Sequence, residues 1–128
     1  MSPLANMLIQ IKNAQIRGLE EVLVPASGMK RAIAMVLQKE GFLANVEDIK
    51  KKGKKSELPY LSITLKPDAI HDVLLISKPS RRMYAGNADM GRIKNGFGTA
   101  VISTPKGIMT STDARAAGVG GEVLFEIW

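Results

Sequence analysis

"SGMKRAIAMVLQKEGF", residues 27–42, has the signature of one amphipathic helix with both ends marked. Ser27 carries a short hydroxyl that can accept a free backbone N–H of the first turn. Met29, Ile33, Val36 and Leu37 recur at helical spacing and form an inward stripe. Gly41 supplies a left-handed stop ahead of apolar Phe42. What flanks this helix then determines the architecture.

On its C-terminal side, "FLANVEDIKKKGKKSELPYLSITLK", residues 42–66, reads as a β-hairpin. Leu61, Ile63 and Leu65 alternate with Tyr60, Ser62, Thr64 and Lys66, and the lysine run around Gly53 forms the turn. On its N-terminal side, "EVLVP", residues 21–25, is a short strand stopped by Pro25. Before that, "PLANMLIQIKNA", residues 3–14, places Leu4, Met7, Leu8, Ile11 and Ala14 on one helical face, with Asn6, Gln10, Asn13 and Arg17 opposite. Ser2 caps this helix and Pro3 opens its first turn. Residues 1–66 therefore read αβαββ.

Pro67 and Asp68 break the pattern and mark a boundary. In residues 67–128 short apolar or alternating runs predominate: "DVLLISK", "RRMYA", "TAVIST" and "EVLFEIW", separated by glycine-rich turns. "TSTDARAAG" adds a brief helix capped by Thr110 or Ser111 and stopped by Gly118. The order predicts an α+β protein, an N-terminal αβαββ module packed against a mostly antiparallel β module.

The chain has 128 residues, a formal net charge of +6 and a pI near 9.7, which favours a polyanionic partner, nucleic acid or an acidic membrane face. No run approaches the roughly 18 apolar residues of a membrane span, and no targeting segment is evident. The absence of cysteine removes disulfides and thiolate metal sites and fits a reducing compartment. These features predict a soluble, cytoplasmic chain.

Enzyme chemistry finds little support. "GNADMGRI", residues 86–93, has the glycine spacing of a P-loop but carries Arg92 and Ile93 where a lysine and a hydroxyl must reach phosphate and magnesium. "GFGTAV" and "GVGGEV" lack the third glycine of a dinucleotide fingerprint and lead into strands. His71, the single histidine, reads as a surface residue just ahead of a strand. Acidic residues occur singly or as neighbours, Glu20 with Glu21 and Glu47 with Asp48, as on solvated faces. No catalytic residue, metal site or cofactor is expected.

Phosphate-binding chemistry is richer. Lys50, Lys51, Lys52, Lys54 and Lys55 put five positive charges into six residues, either a solvated hairpin tip or a contact to phosphates. Between Lys78 and Lys106, six basic residues (Lys78, Arg81, Arg82, Arg92, Lys94 and Lys106) face one acid, Asp89. Arg82 and Tyr84 share a face if "RRMY" is extended, which suits a base stacked on a ring beside a phosphate held by a guanidinium; ordinary strand packing suits Tyr84 equally. In "ISTPKGIMT", residues 102–110, Ser103 and Thr104 offer hydroxyls, Lys106 a charge and Gly107 room for close approach, as a reader of unstacked bases requires. The same residues also make a plain β-turn. "GVGGE" repeats the pattern: Gly118, Gly120 and Gly121 permit close approach, and Glu122, when ionised, accepts only and would face base amino groups.

Together, "ANMLIQIKNAQ", "VPASGMKRAIAMVLQKEGF", "ISKPSRRMY", "GFGTAVISTPKGIMT" and "ARAAGVGGEVLFEIW" resemble the bacterial ribosomal small-subunit protein eight family in order and spacing over nearly the whole chain. The resemblance implies a two-module α+β fold whose C-terminal module, 67–128, makes most of the specific RNA contacts. It implies a monomer in the ribosome, without membrane or cofactor, that binds a helix in the central domain of small-subunit ribosomal RNA early in assembly and touches neighbouring ribosomal proteins. In some bacteria such proteins also repress their own messenger. Ser103, Thr104, Lys106 and Gly107 correspond to the family's recognition loop, Tyr84 lies near it, Gly120, Gly121 and Glu122 form the neighbouring turn, and Lys30 matches a basic position on the second helix. Arg82 joins this set from its charge beside Tyr84.

Three departures mark this chain. The family loop usually reads S-T-S-K-G, and Pro105 removes a hydroxyl and a backbone donor, so contacts at that position do not carry over. Gly28 stands where lysine is common and Ser80 where glycine is common. A general RNA-binding protein, an enzyme using RNA or nucleotides, and a protein-only scaffold are the rival functions; the failed glycine motifs count against an enzyme, and salt-sensitive binding would count against a scaffold.

Overall fold

The computed structural model describes residues 3–52, 57–92 and 98–128. Ser2, expected to cap the first helix, lies outside them, as do Gly53, Lys54, Lys55 and Lys94. The chain forms two compact units, one of Asn6–Ile70 and one of His71–Trp128 with the start of the chain as far as Ala5. Pro67 and Asp68 lie in a turn just ahead of the division, with Asp68 at a φ of 57°.

The first unit follows the αβαββ order: α1 (Pro3–Ile16, from Asn6 onward in this unit), β1 (Glu21–Pro25), α2 (Gly28–Lys39), β2 (Leu43–Lys52) and β3 (Glu57–Leu65). Met7, Leu8, Ile11 and Ala14 are the buried stripe of α1. The sheet is antiparallel in the order β1–β3–β2. Val24, Leu61 and Asp48 stand in one cross-strand row and Val22, Ile63 and Val46 in another. Val24, Leu61 and Ile63 are fully buried, each such side chain contributing about 1.5–3 kcal/mol. On the polar side of β3, the buried Ser62 hydroxyl donates to Glu21 at 2.7 Å.

The ends of α2 show why it starts and stops where it does. The Ser27 hydroxyl accepts the Lys30 N–H at 3.2 Å. At the other end, Gly41 takes a φ of 86°, and the Gly41 and Phe42 N–H groups return to the carbonyls of Gln38 and Leu37. Ile33, Ala34 and Leu37 are buried and Val36 is half-buried. Met29, expected to point inward, does not: it is 44% exposed. It belongs to the first turn of the helix, and the buried face begins only with the next turn, at Ile33. Arg31 on the same helix donates to Asp48 of β2 at 2.6 and 2.8 Å, and the hydrogen bond and charge of this carboxylate raise the guanidinium's pKa above its usual value.

The first three lysines of the run are also placed differently from expectation. Lys50 to Lys52 continue β2, paired with Pro59 to Glu57 of β3, and so belong to the strand and not to the turn.

The second unit contains β4 (Val73–Leu75), β5 (Tyr84–Ala85), a 3-10 turn (Asn87–Arg92), β6 (Thr99–Thr104), β7 (Gly107–Thr110), α3 (Ser111–Ala117) and β8 (Gly121–Ile127). Its antiparallel sheet runs β4–β8–β6–β7, with β5 also on β8. Ala100, Ile102 and Val123 bury against Ala114 of α3, joined by Ile76, Ala85, Met109 and Val119. Thr110 is the N-cap of α3, its hydroxyl accepting the Asp113 N–H at 3.1 Å, and Gly118 ends the helix at a φ of 73°. The extended runs are shorter than expected: "DVLLISK" keeps three strand residues and "RRMYA" two, because Lys78 and Arg81 close a tight turn by two reciprocal backbone hydrogen bonds of 2.9 Å.

Candidate nucleic-acid interface

Strand register determines which side chains share a face of the second unit. Glu122 of β8 stands opposite Tyr84 of β5 on one side and opposite Ser103 of β6 on the other, and Ser103 stands opposite Ile108 of β7. Tyr84, Glu122, Ser103 and Ile108 therefore form one row across four strands. The adjacent row holds Ile102, Val123 and Met109, which pack on the α3 side, so alternation turns the first row to the opposite face.

The row is open enough to be read. Tyr84 is 71% exposed, so most of its ring faces solvent. Ser103 is half-buried, and its hydroxyl has no partner among the described residues. The Arg82 guanidinium donates to the Glu122 carboxylate at 3.1 Å, with side chains 55% and 15% exposed. Arg82 thus reaches the row from a connecting segment and not from β5, which begins at Tyr84. Ser77 fixes that segment, its hydroxyl accepting the Met83 N–H at 2.9 Å and donating to the Met83 carbonyl at 3.3 Å.

Ser103 and Thr104, adjacent hydroxyls in the sequence, have separate fates. Thr104 follows Ser103 on β6 and pairs with Gly107 across the turn. Its hydroxyl donates to the Gly107 carbonyl at 2.7 Å and accepts the Lys106 N–H at 3.1 Å, closing the turn around Pro105. Gly107 takes a φ of 119°, which a side chain disfavours. The Lys106 ammonium donates to the Ala117 carbonyl at 3.3 Å, where the negative end of the α3 dipole attracts a cation.

The glycines of "GVGGE" answer first to the protein's own packing. A Cβ on Gly121 would collide with the Ser103 carbonyl oxygen, and one on Gly120 with the Ala85 carbonyl oxygen. Their lack of a side chain lets β5 and β6 close on β8. Asn87 holds the same loop, its amide donating to the carbonyls of Ala114 at 3.2 Å, Arg115 at 3.4 Å and Val119 at 3.1 Å. Nothing in the sequence around Asn87 marks this role, because its three partners lie 27 to 32 residues away.

Lys30 belongs to the other unit, where its ammonium donates to the Pro25 carbonyl at 3.3 Å. His71 is exposed just ahead of β4. Among the described residues no group of three His, Cys, Asp or Glu could hold a metal, and no helix is long and apolar enough to cross a membrane.

A basic α+β chain with a hydroxyl and a ring on one open strand row and a guanidinium at its edge has the makings of an RNA-binding protein. Residues 2–128 match the family described as Ribosomal protein S8. The chain is 49% identical to the small ribosomal subunit protein uS8 of Thermoanaerobacter sp. (strain X514) over 98% of its own length and 96% of the relative's. It is 40% identical to the protein of that name from Thermosipho africanus, covering 98% and 97%, and 45% identical to that from Acidithiobacillus ferrooxidans, covering 95% and 93%. The chain belongs to the ribosomal protein S8 family.

Proposed function

We propose that this chain is a structural constituent of the small ribosomal subunit that binds a helix in the central domain of small-subunit ribosomal RNA and so assists assembly. The observation that carries the site is the row of Tyr84, Glu122 and Ser103 on the sheet face away from α3, with the Arg82 guanidinium at its edge. An exposed ring can stack an unpaired base, and the Ser103 hydroxyl, which has no partner among the described residues, can donate to and accept from base edges. The +6 charge supplies the non-specific attraction.

Specificity on this reading resides in the second unit. Gly107, Gly120 and Gly121 shape the contact surface, Thr104 fixes the turn beside it, and Lys106 adds charge close by. Lys30 and the lysine run add phosphate contacts from the first unit. The protein acts as a monomer in the cytoplasmic ribosome, beside other small-subunit proteins, in a structural and not a catalytic role.

Equilibrium binding of the purified chain to the central-domain fragment of its own small-subunit ribosomal RNA, and to a scrambled hairpin of equal length, tests this. Specific affinity should exceed non-specific affinity by a factor that persists as salt rises, while both fall. Equal affinity for the two RNAs would refute the assignment.

A further inference from the structure

A carboxylate on a face that receives RNA needs an explanation, because uncompensated negative charge beside phosphates is repelled. Glu122 is only 15% exposed and stands between Tyr84 and Ser103, so solvent does little to screen it. Its carboxylate accepts from Arg82, at 3.1 Å and 40 residues away in sequence. Arg82 in turn is 55% exposed, leaving part of the guanidinium fork open to a second ligand.

We propose that Glu122 and Arg82 form a positioning pair: Glu122 orients the guanidinium at the edge of the Tyr84 and Ser103 row, and Arg82 cancels the carboxylate that would otherwise oppose RNA there. Glu122 on this account does not read a base. The inference rests on the RNA-binding function proposed above and assigns Arg82 a role beyond a simple phosphate contact. A guanidinium held on one edge by a carboxylate keeps its remaining N–H donors fixed in direction, so an incoming phosphate oxygen meets an oriented donor at small entropic cost.

The pair leaves a signature in a double-variant cycle. Arg82→Gln removes the donor and exposes the carboxylate, and binding to the central-domain fragment should fall by about tenfold or more, the loss of one charge-assisted hydrogen bond. Glu122→Gln added to that variant removes the repulsion, and the double variant should regain about threefold or more of the loss. Arg82→Lys keeps the compensating charge and should bind the fragment better than Arg82→Gln. Thermal unfolding of every variant shows whether folding is retained, and the comparison of Arg82→Lys with Arg82→Gln stands even if the double variant fails to fold.

A double variant no better than Arg82→Gln would mean that Arg82 is a phosphate contact alone, and a double variant worse than it would mean that Glu122 contacts a base; either result overturns the proposal, as does Arg82→Lys binding no better than Arg82→Gln. Wild-type protein that fails to distinguish the fragment from a scrambled hairpin would remove the functional reading itself, and the pair with it. Wild-type discrimination without rescue removes only the pair.

Discussion

Ser103 and Glu122 stand directly opposite each other on β6 and β8, while Thr104, one residue further along, spends its hydroxyl inside the turn it closes. Two hydroxyls that look interchangeable in "ISTPKG" therefore do different work. Ser103→Ala should leave the melting temperature unchanged, because the hydroxyl has no partner among the described residues. It should cost about 1–3 kcal/mol of affinity for central-domain RNA by leaving a base group unpaired, and should spare binding to a scrambled hairpin. Thr104→Ala should instead destabilise the folded protein by about 1 kcal/mol, because it removes both hydrogen bonds that close the turn. Calorimetric binding and thermal unfolding of the two variants separate these roles; equal behaviour would contradict them.

Lys106 faces a helix end, which makes its contribution to stability sensitive to salt. Its ammonium meets the Ala117 carbonyl at 3.3 Å. Lys106→Met should lower stability by about 0.3–1 kcal/mol in low salt, and the difference should shrink as salt screens the helix dipole. Urea unfolding at two ionic strengths reads this out. A difference that does not change with salt would assign the effect to packing.

Gly121 and Gly28 differ in what the fold asks of them. Gly121→Ala places a Cβ against the Ser103 carbonyl and should cost at least about 1–3 kcal/mol, because strands β6 and β8 must move apart. Gly28 lies at the start of α2, where a Cβ would have open space around it and φ is not positive. Gly28→Ala should raise stability by about 0.4–1 kcal/mol through the unfolded chain. Denaturant melts of the pair should move in opposite directions.

Much of this architecture was legible because local signals carried it. Ser27 and Gly41 bracket α2, Gly118 stops α3, and the alternation of Leu61, Ile63 and Leu65 marks β3, each requiring only neighbours in sequence. β8 is different: Val123 through Ile127 are all buried, so period-two alternation cannot say which side chains share the face of Glu122. A bulge opposite Val101 and Ile102 shifts that register as well. The pairing of Arg82 with Glu122 and the bracing by Asn87 depend on contacts 27 to 40 residues apart, which no window along the chain contains. Sequence pointed to Ser103 and Thr104 together; only strand register separates them.

The lysine run should act through phosphates without reading sequence. Replacing Lys51, Lys52 and Lys54 with Gln should weaken cognate and scrambled RNA about equally and reduce the salt slope by about one unit for each phosphate no longer neutralised. Filter binding over a salt series measures both. Selective weakening of the cognate complex would show that these lysines take part in specificity.

Chemical footprinting of the purified chain on its own full-length small-subunit ribosomal RNA joins the protein to its partner in one measurement. Wild-type protein should protect one helix of the central domain at concentrations where the rest of the RNA stays reactive, and Tyr84→Ala combined with Ser103→Ala should lose that protection while remaining folded. Diffuse protection across the RNA, or a helix protected equally by the double variant, would contradict recognition by the row that Tyr84, Glu122 and Ser103 form.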